Sequence, residues 1–192
     1  MNNQLKLFVL AGPSGCGKTT IAKSILQKFS NIVFSISATT REMRSAETNA
    51  KDYYFIQRAE FEEKIKQGEL IEWEEIYGDY YGSLKSEVDK AFAVGKSILF
   101  DVDVKGALSI KNRYSNNAKL IFIIPPSIEK LIDRLRNRKT ESEETFKRRM
   151  ERVKMEMSFA PDFDYRVIND SLEKAIEEVS VIIQKEIGIF NN

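Results

Sequence analysis

The chain is predicted to fold as a parallel α/β sheet with helices on both faces. Three observations carry the prediction. Five short apolar runs recur along the chain, separated by segments of helical periodicity or by a polar insertion, and strands alternating with helices are the pattern of a parallel sheet covered on both sides. The first run leads into Gly12-Pro13-Ser14-Gly15-Cys16-Gly17-Lys18-Thr19, which satisfies G-x-x-x-x-G-K-[ST], a glycine loop that cradles phosphate between a strand and a helix. A length of 192 residues suits a single domain, since domains take about 100 to 200 residues.

Leu5, Leu7, Phe8, Val9 and Leu10 read as a buried strand entering the loop. Ile21, Ile25 and Phe29 then return every four residues, so an amphipathic helix begins near Lys18. Glycines let backbone N–H groups turn inward around a phosphate, and the positive end of the helix adds a favourable field. Lys18 is placed to reach the β and γ phosphates, and the Thr19 hydroxyl to ligate Mg²⁺. Cys16 lies near that helix N-terminus, a setting that activates a thiol; free cysteine is as often buried and inert, and both readings stand.

Ile32 to Ser37 predicts a second strand. From Ala38 to about Lys90 the chain turns polar and tyrosine-rich, with one short helical pattern through Phe61 and Ile65 stopped at Gly68. Another runs through Leu84, Val88 and Phe92 and stops at Gly95. This stretch reads as an insertion between core strands. The core resumes at Ser97 to Asp103 and at Lys119 to Ile124, with a helical segment near Ala107 to Tyr114 between them. Pro125-Pro126 ends the second run, and Ser127 is a candidate N-cap for a helix carrying Ile128, Leu131, Ile132 and Leu135. Phe146, Met150, Val153 and Met157 have the spacing of a packed helix face. Tyr165 to Ile168 predicts the last strand, and Leu172, Ile176, Val179, Ile183 and Ile187 the stripe of a closing helix.

Thirty basic and 29 acidic residues leave a formal charge of +1, which argues against a general nucleic-acid binder or a membrane-surface protein. A single cysteine excludes an intramolecular disulfide, the N-terminal residues lack the features of a signal peptide, and no apolar run is long enough to span a membrane. A cytoplasmic protein is expected. Histidine is absent, which removes the commonest general base and transition-metal ligand. Chemistry must therefore rest on carboxylates, cations and Mg²⁺. From Arg134 to Lys154 nine Lys or Arg face four Glu, a locally basic stretch whose usual meaning is a solvated helix face.

Further segments add information: Ser37-Ala38-Thr39-Thr40-Arg41-Glu42-Met43-Arg44, Glu72-Trp73, Tyr80-Tyr81-Gly82-Ser83, Asp101-Val102-Asp103-Val104-Lys105-Gly106-Ala107, and Arg134-Leu135-Arg136-Asn137-Arg138. Together with the phosphate loop they resemble the guanylate kinase family, over roughly Lys6 to Ile187. The resemblance implies a P-loop kinase three-layer fold with a five-stranded parallel sheet. It divides the chain into a core (1–37, 91–126 and 161–192), a GMP-binding insertion (38–90) and a lid region (127–160). It implies transfer of the γ-phosphate of ATP to GMP, giving ADP and GDP, with dGMP as a further acceptor and Mg²⁺ as cofactor.

By that resemblance the loop from Gly12 to Thr19 and Asn169 bind ATP. Arg41, Arg44, Tyr53 and Tyr81 hold the GMP phosphate, through the donor forks of arginine and the neutral hydroxyls of tyrosine. Ser37, Glu72, Ser83 and Asp103 read guanine, whose neighbouring N1 and N2 donors suit an acceptor-only carboxylate. Asp101 orders Mg²⁺ through water, with Glu47 as a further acid near the metal. Arg134, Arg138 and Arg149, with Lys18, act on the transferring phosphoryl group. Arg136, Arg148 and Arg152 match no assigned position and read as solvated. The chain departs from the family pattern at Met43 (usually proline), Ala46 and Ala50 (usually glycine) and Lys105 (usually glutamine). The alternatives are a non-catalytic guanylate-kinase-like interaction module, against which Lys18, Thr19 and the arginines stand, and a kinase for another small nucleotide, disfavoured by the guanine-reading set.

Overall fold

The structure is a computed structural model that describes residues 5–127, 129–132 and 143–188, with the backbone alone described for 143–146. In chain order its elements are β1 (Leu7–Ala11), α1 (Lys18–Lys28), β2 (Ile32–Phe34), β3 (Ser37–Thr39), β4 (Tyr54–Phe55), α2 (Arg58–Lys66), β5 (Leu70–Ile76), β6 (Asp79–Leu84) and α3 (Lys85–Ala93). They continue with β7 (Ser97–Asp101), α4 (Val104–Tyr114), β8 (Ala118–Ile124), α5 (Glu143–Ser158), β9 (Tyr165–Ile168) and α6 (Leu172–Ile187).

Five strands form an all-parallel sheet in the order β2-β7-β1-β8-β9. Side chains alternate across a strand, and here both faces are covered. Phe8 and Leu10 join Ile21 and Ile25 of α1 and Val179 and Ile183 of α6 on one side. Leu7, Val9 and Ala11 join Val88 of α3 and Ala107 and Ile110 of α4 on the other. All five residues of β1 are fully buried, as the continuous apolar run requires. Asp103 accepts from the Gly106 amide at the start of α4, and Ser171 from the Lys174 amide at the start of α6. The Ser127 hydroxyl accepts from the Lys130 amide at 3.2 Å.

The predicted strand Ile32 to Ser37 is two strands in two sheets. After Phe34 the Ser35 amide makes a last bond to the Leu99 carbonyl at 2.9 Å, and the chain crosses to a second sheet of order β4-β3-β6-β5. The run Ile-Val-Phe-Ser-Ile-Ser does not mark such a transfer. This second sheet is antiparallel except for the β3–β4 pair, and the polar stretch was expected to hold only short helices. One face of this sheet packs on α2. Ala38, Leu70 and Tyr80 pack with Phe61 of α2, while the residues between them face away.

Of the two alanines where the family pattern has glycine, Ala50 adopts φ 60°, in the left-handed region, and Ala46 does not. The strain of a Cβ there falls on one residue.

Candidate active site

β1 is the centre of the parallel sheet, and the chain moves from β7 on one side of it to β8 on the other. That reversal opens a crevice at the carboxyl ends of the strands, where ligands bind in open α/β sheets. The glycine loop sits there. A Cβ on Gly12 would stand 2.4 Å from the Ile123 carbonyl, and one on Gly17 2.3 Å from the Asn169 amide nitrogen. Glycine at these positions lets the loop lie flat on β8 and lets Asn169 donate to the Cys16 carbonyl at 2.7 Å. Gly17 precedes α1 without a side-chain cap, and the first turn carries no acid, so its amides remain available to an anion.

Lys18 Nζ donates to the Gly12 carbonyl at 2.8 Å and lies within electrostatic reach of Asp101 and Glu156. The Thr19 hydroxyl donates to Asp101 Oδ2 at 2.7 Å; register pairing of Leu10 with Asp101 brings that carboxylate beside the loop. Cys16 is fully buried, and burial pushes its thiol above the ordinary range. Of the two readings of this residue the structure supports the inert one, and the loop presents its backbone rather than its sulfur.

Facing the loop is one side of the second sheet. Ser37 pairs with Ser83 and Ser83 with Glu72, while Thr39 pairs with Tyr81 and Tyr81 with Glu74. Because side chains alternate, Ser37, Glu72, Glu74, Tyr81 and Ser83 share a face, and Ala38, Trp73, Tyr80 and Gly82 share the other. Gly82 is needed on that second side, where a Cβ would meet Phe61 at 3.0 Å. A β-bulge between Leu70 and Glu72 sets Glu72 opposite Ser83. Ser83 Oγ donates to Glu72 Oε1 at 2.6 Å. Burial raises the Glu72 pKa to about 7, with the Ser83 bonds opposing the shift. Gly106 of α4 leaves room for the other carboxylate oxygen, since a Cβ there would stand 2.7 Å from Glu72 Oε2 and 3.3 Å from Asp103 Oδ1.

The two halves line one cavity of about 790 Å³. Lys18, Thr19, Asp101 and Asn169 open on it from the phosphate side, and Ser37, Tyr53, Glu72, Tyr81 and Asp103 from the other; Arg149 of α5 also lines it. Ser83 stands behind Glu72 and acts on the cavity through it. Arg41 does not line the cavity; it forks onto Glu47 with bonds of 2.8 and 3.1 Å and lies over the Tyr53 ring at 5.6 Å. Arg44 is exposed, its amide donating to Glu47 at 2.8 Å. Glu47, expected near the metal, is thus bonded to Arg41 and Arg44, while Asp101 holds Thr19. Arg134 and Arg138 lie outside the described residues.

Among the lining residues that were not anticipated are Glu74, Arg152 and Glu156. Arg152, read as solvated, is mostly buried and bonded to Glu74, Asp103 and Glu156. The signal was present in the spacing of Arg149, Arg152 and Glu156, which puts them on one helix face, beside the packing positions Met150, Val153 and Met157.

The sequence model of the family described as guanylate kinase matches residues 4–186. The chain belongs to the guanylate kinase family. A guanylate kinase of Chlorobium chlorochromatii (strain CaD3) is 46% identical over 183 residues, covering 95% of this chain and 96% of that protein. One from Thermotoga maritima is 44% identical over 181 residues, covering 94% and 87%. The crystal structure of guanylate kinase from Anaplasma phagocytophilum superposes with a TM-score of 0.80 at 32% identity, over 96% of this chain and 87% of that one. These guanylate kinases are similar along the whole chain, so the family assignment covers both the phosphate loop and the sheet facing it.

Proposed function

We infer that the chain is an ATP:GMP phosphotransferase, moving the γ-phosphate of ATP to GMP and yielding ADP and GDP. One observation supports this reading above the others: a phosphate loop and a paired-carboxylate base site, Glu72 with Asp103, open on the same cavity. The loop amides and Lys18 bind the phosphates of ATP, with Asn169 bracing the loop near the adenine. Ser37, Glu72 and Asp103 accept from the guanine donors. Tyr53 and Tyr81, with Arg41 behind them and Arg44 beside, hold the GMP phosphate, and Glu47 orients Arg41. In this reading 38–90 is the GMP-binding insertion and 127–160 the lid region, from which Arg134, Arg138 and Arg149 stabilise charge on the transferring group.

Thr19 and Asp101 fit a Mg²⁺ site. They are two hard oxygen donors bonded to each other at 2.7 Å, and no cluster of three or more acidic, His or Cys ligands occurs among the described residues. Mg²⁺ characteristically keeps waters and substrate phosphates in its shell rather than an all-protein cage. When bound it neutralises charge on the β and γ phosphates. The GMP phosphate is already an anionic nucleophile, so the absence of histidine does not hinder the reaction. Catalysis here is positioning and electrostatics.

dGMP is a further acceptor in this proposal, since none of the base-reading residues is assigned to the ribose 2′-hydroxyl. A cytoplasmic site of action suits a free thiol and nucleotide substrates; no helix among the described residues is long and apolar enough to cross a membrane. The test is ADP formation from MgATP with GMP, dGMP, AMP, UMP or CMP. Turnover with GMP and dGMP at least about a hundredfold above the others is expected of a site that hydrogen-bonds its base. Equal turnover of AMP would overturn the assignment of the base site.

A further inference from the structure

We propose that Arg152 is a positioning residue for guanine recognition, holding the Asp103 carboxylate in the orientation that reads the base. The inference rests on the GMP kinase reading and adds to it a residue that the family resemblance left unassigned.

Asp103 has two constraints. Its Oδ1 accepts from the Gly106 amide at 2.7 Å, the cap of α4. A cap bond alone leaves the carboxylate free to pivot about that oxygen. Its Oδ2 accepts from Arg152 Nη2 at 3.0 Å, which fixes the plane of the group and leaves remaining lone pairs of the carboxylate to face the cavity. The same Nη2 donates to Glu74 Oε2 at 3.0 Å. A guanidinium nitrogen has two hydrogens, and here they go to two carboxylates. Arg152 Nε donates to Glu156 Oε1 at 2.9 Å, so the guanidinium is itself held from three directions.

The charges explain why an arginine stands there. Glu74, Asp103 and Glu156 have side-chain exposures of 18, 13 and 5%, and Arg152 of 21%. Three poorly hydrated acids line a cavity that must admit anionic nucleotides. Arg152 bridges all three, and Lys105 adds a longer contact to Glu74 at 3.4 Å. A lysine at 152 would offer a point charge, not a planar fork able to span three partners.

The arrangement also joins separate parts of the chain. Glu74 belongs to β5 opposite Tyr81, Asp103 to the start of α4, and Arg152 to α5, one turn from Arg149. A residue that acts only by holding these elements together would change stability and the use of both substrates. One that acts through Asp103 changes GMP use alone.

The experiment measures KM for GMP and for ATP, kcat, and GMP affinity by calorimetry for wild type, Arg152→Ala, Arg152→Lys, Asp103→Ala and the Arg152→Ala/Asp103→Ala double variant. Loss of a charge-assisted bond of this kind raises KM and Kd for GMP about 10-fold in Arg152→Ala, with KM for ATP within about twofold of wild type. Arg152→Lys gives an intermediate loss, and it serves as the readout if the alanine variant does not fold. The decisive comparison is the double variant: if Arg152 works through Asp103, its kcat/KM for GMP equals that of Asp103→Ala alone within about twofold, because coupled residues are non-additive. Folded Arg152 variants with unchanged GMP constants, equal losses for GMP and ATP, or a double variant whose loss is the product of the singles, would each overturn the inference. In those cases wild type still phosphorylates GMP. A wild type that neither binds nor phosphorylates GMP overturns the functional reading, and this inference with it.

Discussion

Glu72→Gln tests the base site at its most exposed point. The substitution preserves size and removes charge. In the wild type Oε1 accepts from Ser83 at 2.6 Å, and Oε2 lies against the space left by Gly106. A glutamine can turn its NH₂ toward Ser83, whose hydroxyl accepts as well as donates, and keep its single oxygen for guanine. One of two adjacent guanine donors then lacks its acceptor. An unpaired buried donor costs about 1–3 kcal/mol, more where the lost acceptor was charged, so kcat/KM for GMP falls by about one to three orders of magnitude. AMP gains far less, because Ser37 and Asp103 remain. The charge also has a signature without nucleotide. Burial lifts the carboxyl from 4.5 to about 7. A folded pKa above the unfolded one means that the contribution to stability is fully present below about 4.5 and is lost as pH rises through about 7. That rise corresponds to about 3 kcal/mol. Glu72→Gln should therefore melt above wild type at pH 8, and the difference should vanish toward pH 4.5. The ratio of wild-type to variant kcat/KM for GMP should rise with pH through about 7, since titration of the substrate is common to both. The assays are steady-state kinetics with GMP and AMP and thermal melts from pH 4.5 to 8.5. GMP turnover unchanged within about twofold, together with coincident melting curves across that range, would refute both the contact and the desolvation of Glu72.

Further outcomes are expected from single changes. Lys18→Ala should lower kcat by at least about 10²-fold with little change in melting temperature, since Nζ donates to the loop carbonyls of Gly12 and Pro13 and takes no part in the apolar core; near-normal turnover would remove the phosphate-loop assignment. Thiol reagents should modify Cys16 in urea and not in the native protein, leaving native activity intact, as mass spectrometry before and after unfolding will record. Gly106→Ala places a Cβ 2.7 Å from Glu72 Oε2 and should raise KM for GMP about 10-fold, while better helix propensity offsets much of the local cost in the melt. Ala50→Gly relieves a left-handed alanine at φ 60° and should stabilise the protein by up to about 1 kcal/mol, a shift of about 2–4 °C in Tm for a chain of this size.

What could be read from the sequence followed burial. β1, β7 and β8 are covered on both faces and spell continuous apolar runs, so the parallel sheet and its glycine loop were legible. The second sheet was not, because β5 reads Leu-Ile-Glu-Trp-Glu-Glu-Ile and β4 has only two residues. Its hairpin was hidden as well. Tyr77 and Gly78 both take positive φ, 55° and 92°, the geometry of a two-residue turn that Asn-Gly usually announces, and tyrosine is a poor signal for it.

The candidate site divides along the same line. The phosphate loop is contiguous in sequence, so its geometry followed from local rules, and Glu72 and Asp103 were named through the resemblance rather than through their surroundings. Their partners required the fold. Ser83 meets Glu72 from 11 residues away by antiparallel register, and Arg152 meets Asp103 and Glu74 across 49 and 78 residues. A helix face carrying Arg149, Arg152 and Glu156 is compatible with solvent until something is known to lie opposite it. Here β5 and the start of α4 lie opposite, each presenting an acid, and their approach turns an unremarkable surface arginine into the shared donor of three carboxylates. The residues whose roles are hardest to read are therefore those that join β5, α4 and α5, because their chemistry is set by the distances between elements and not by any one element's sequence.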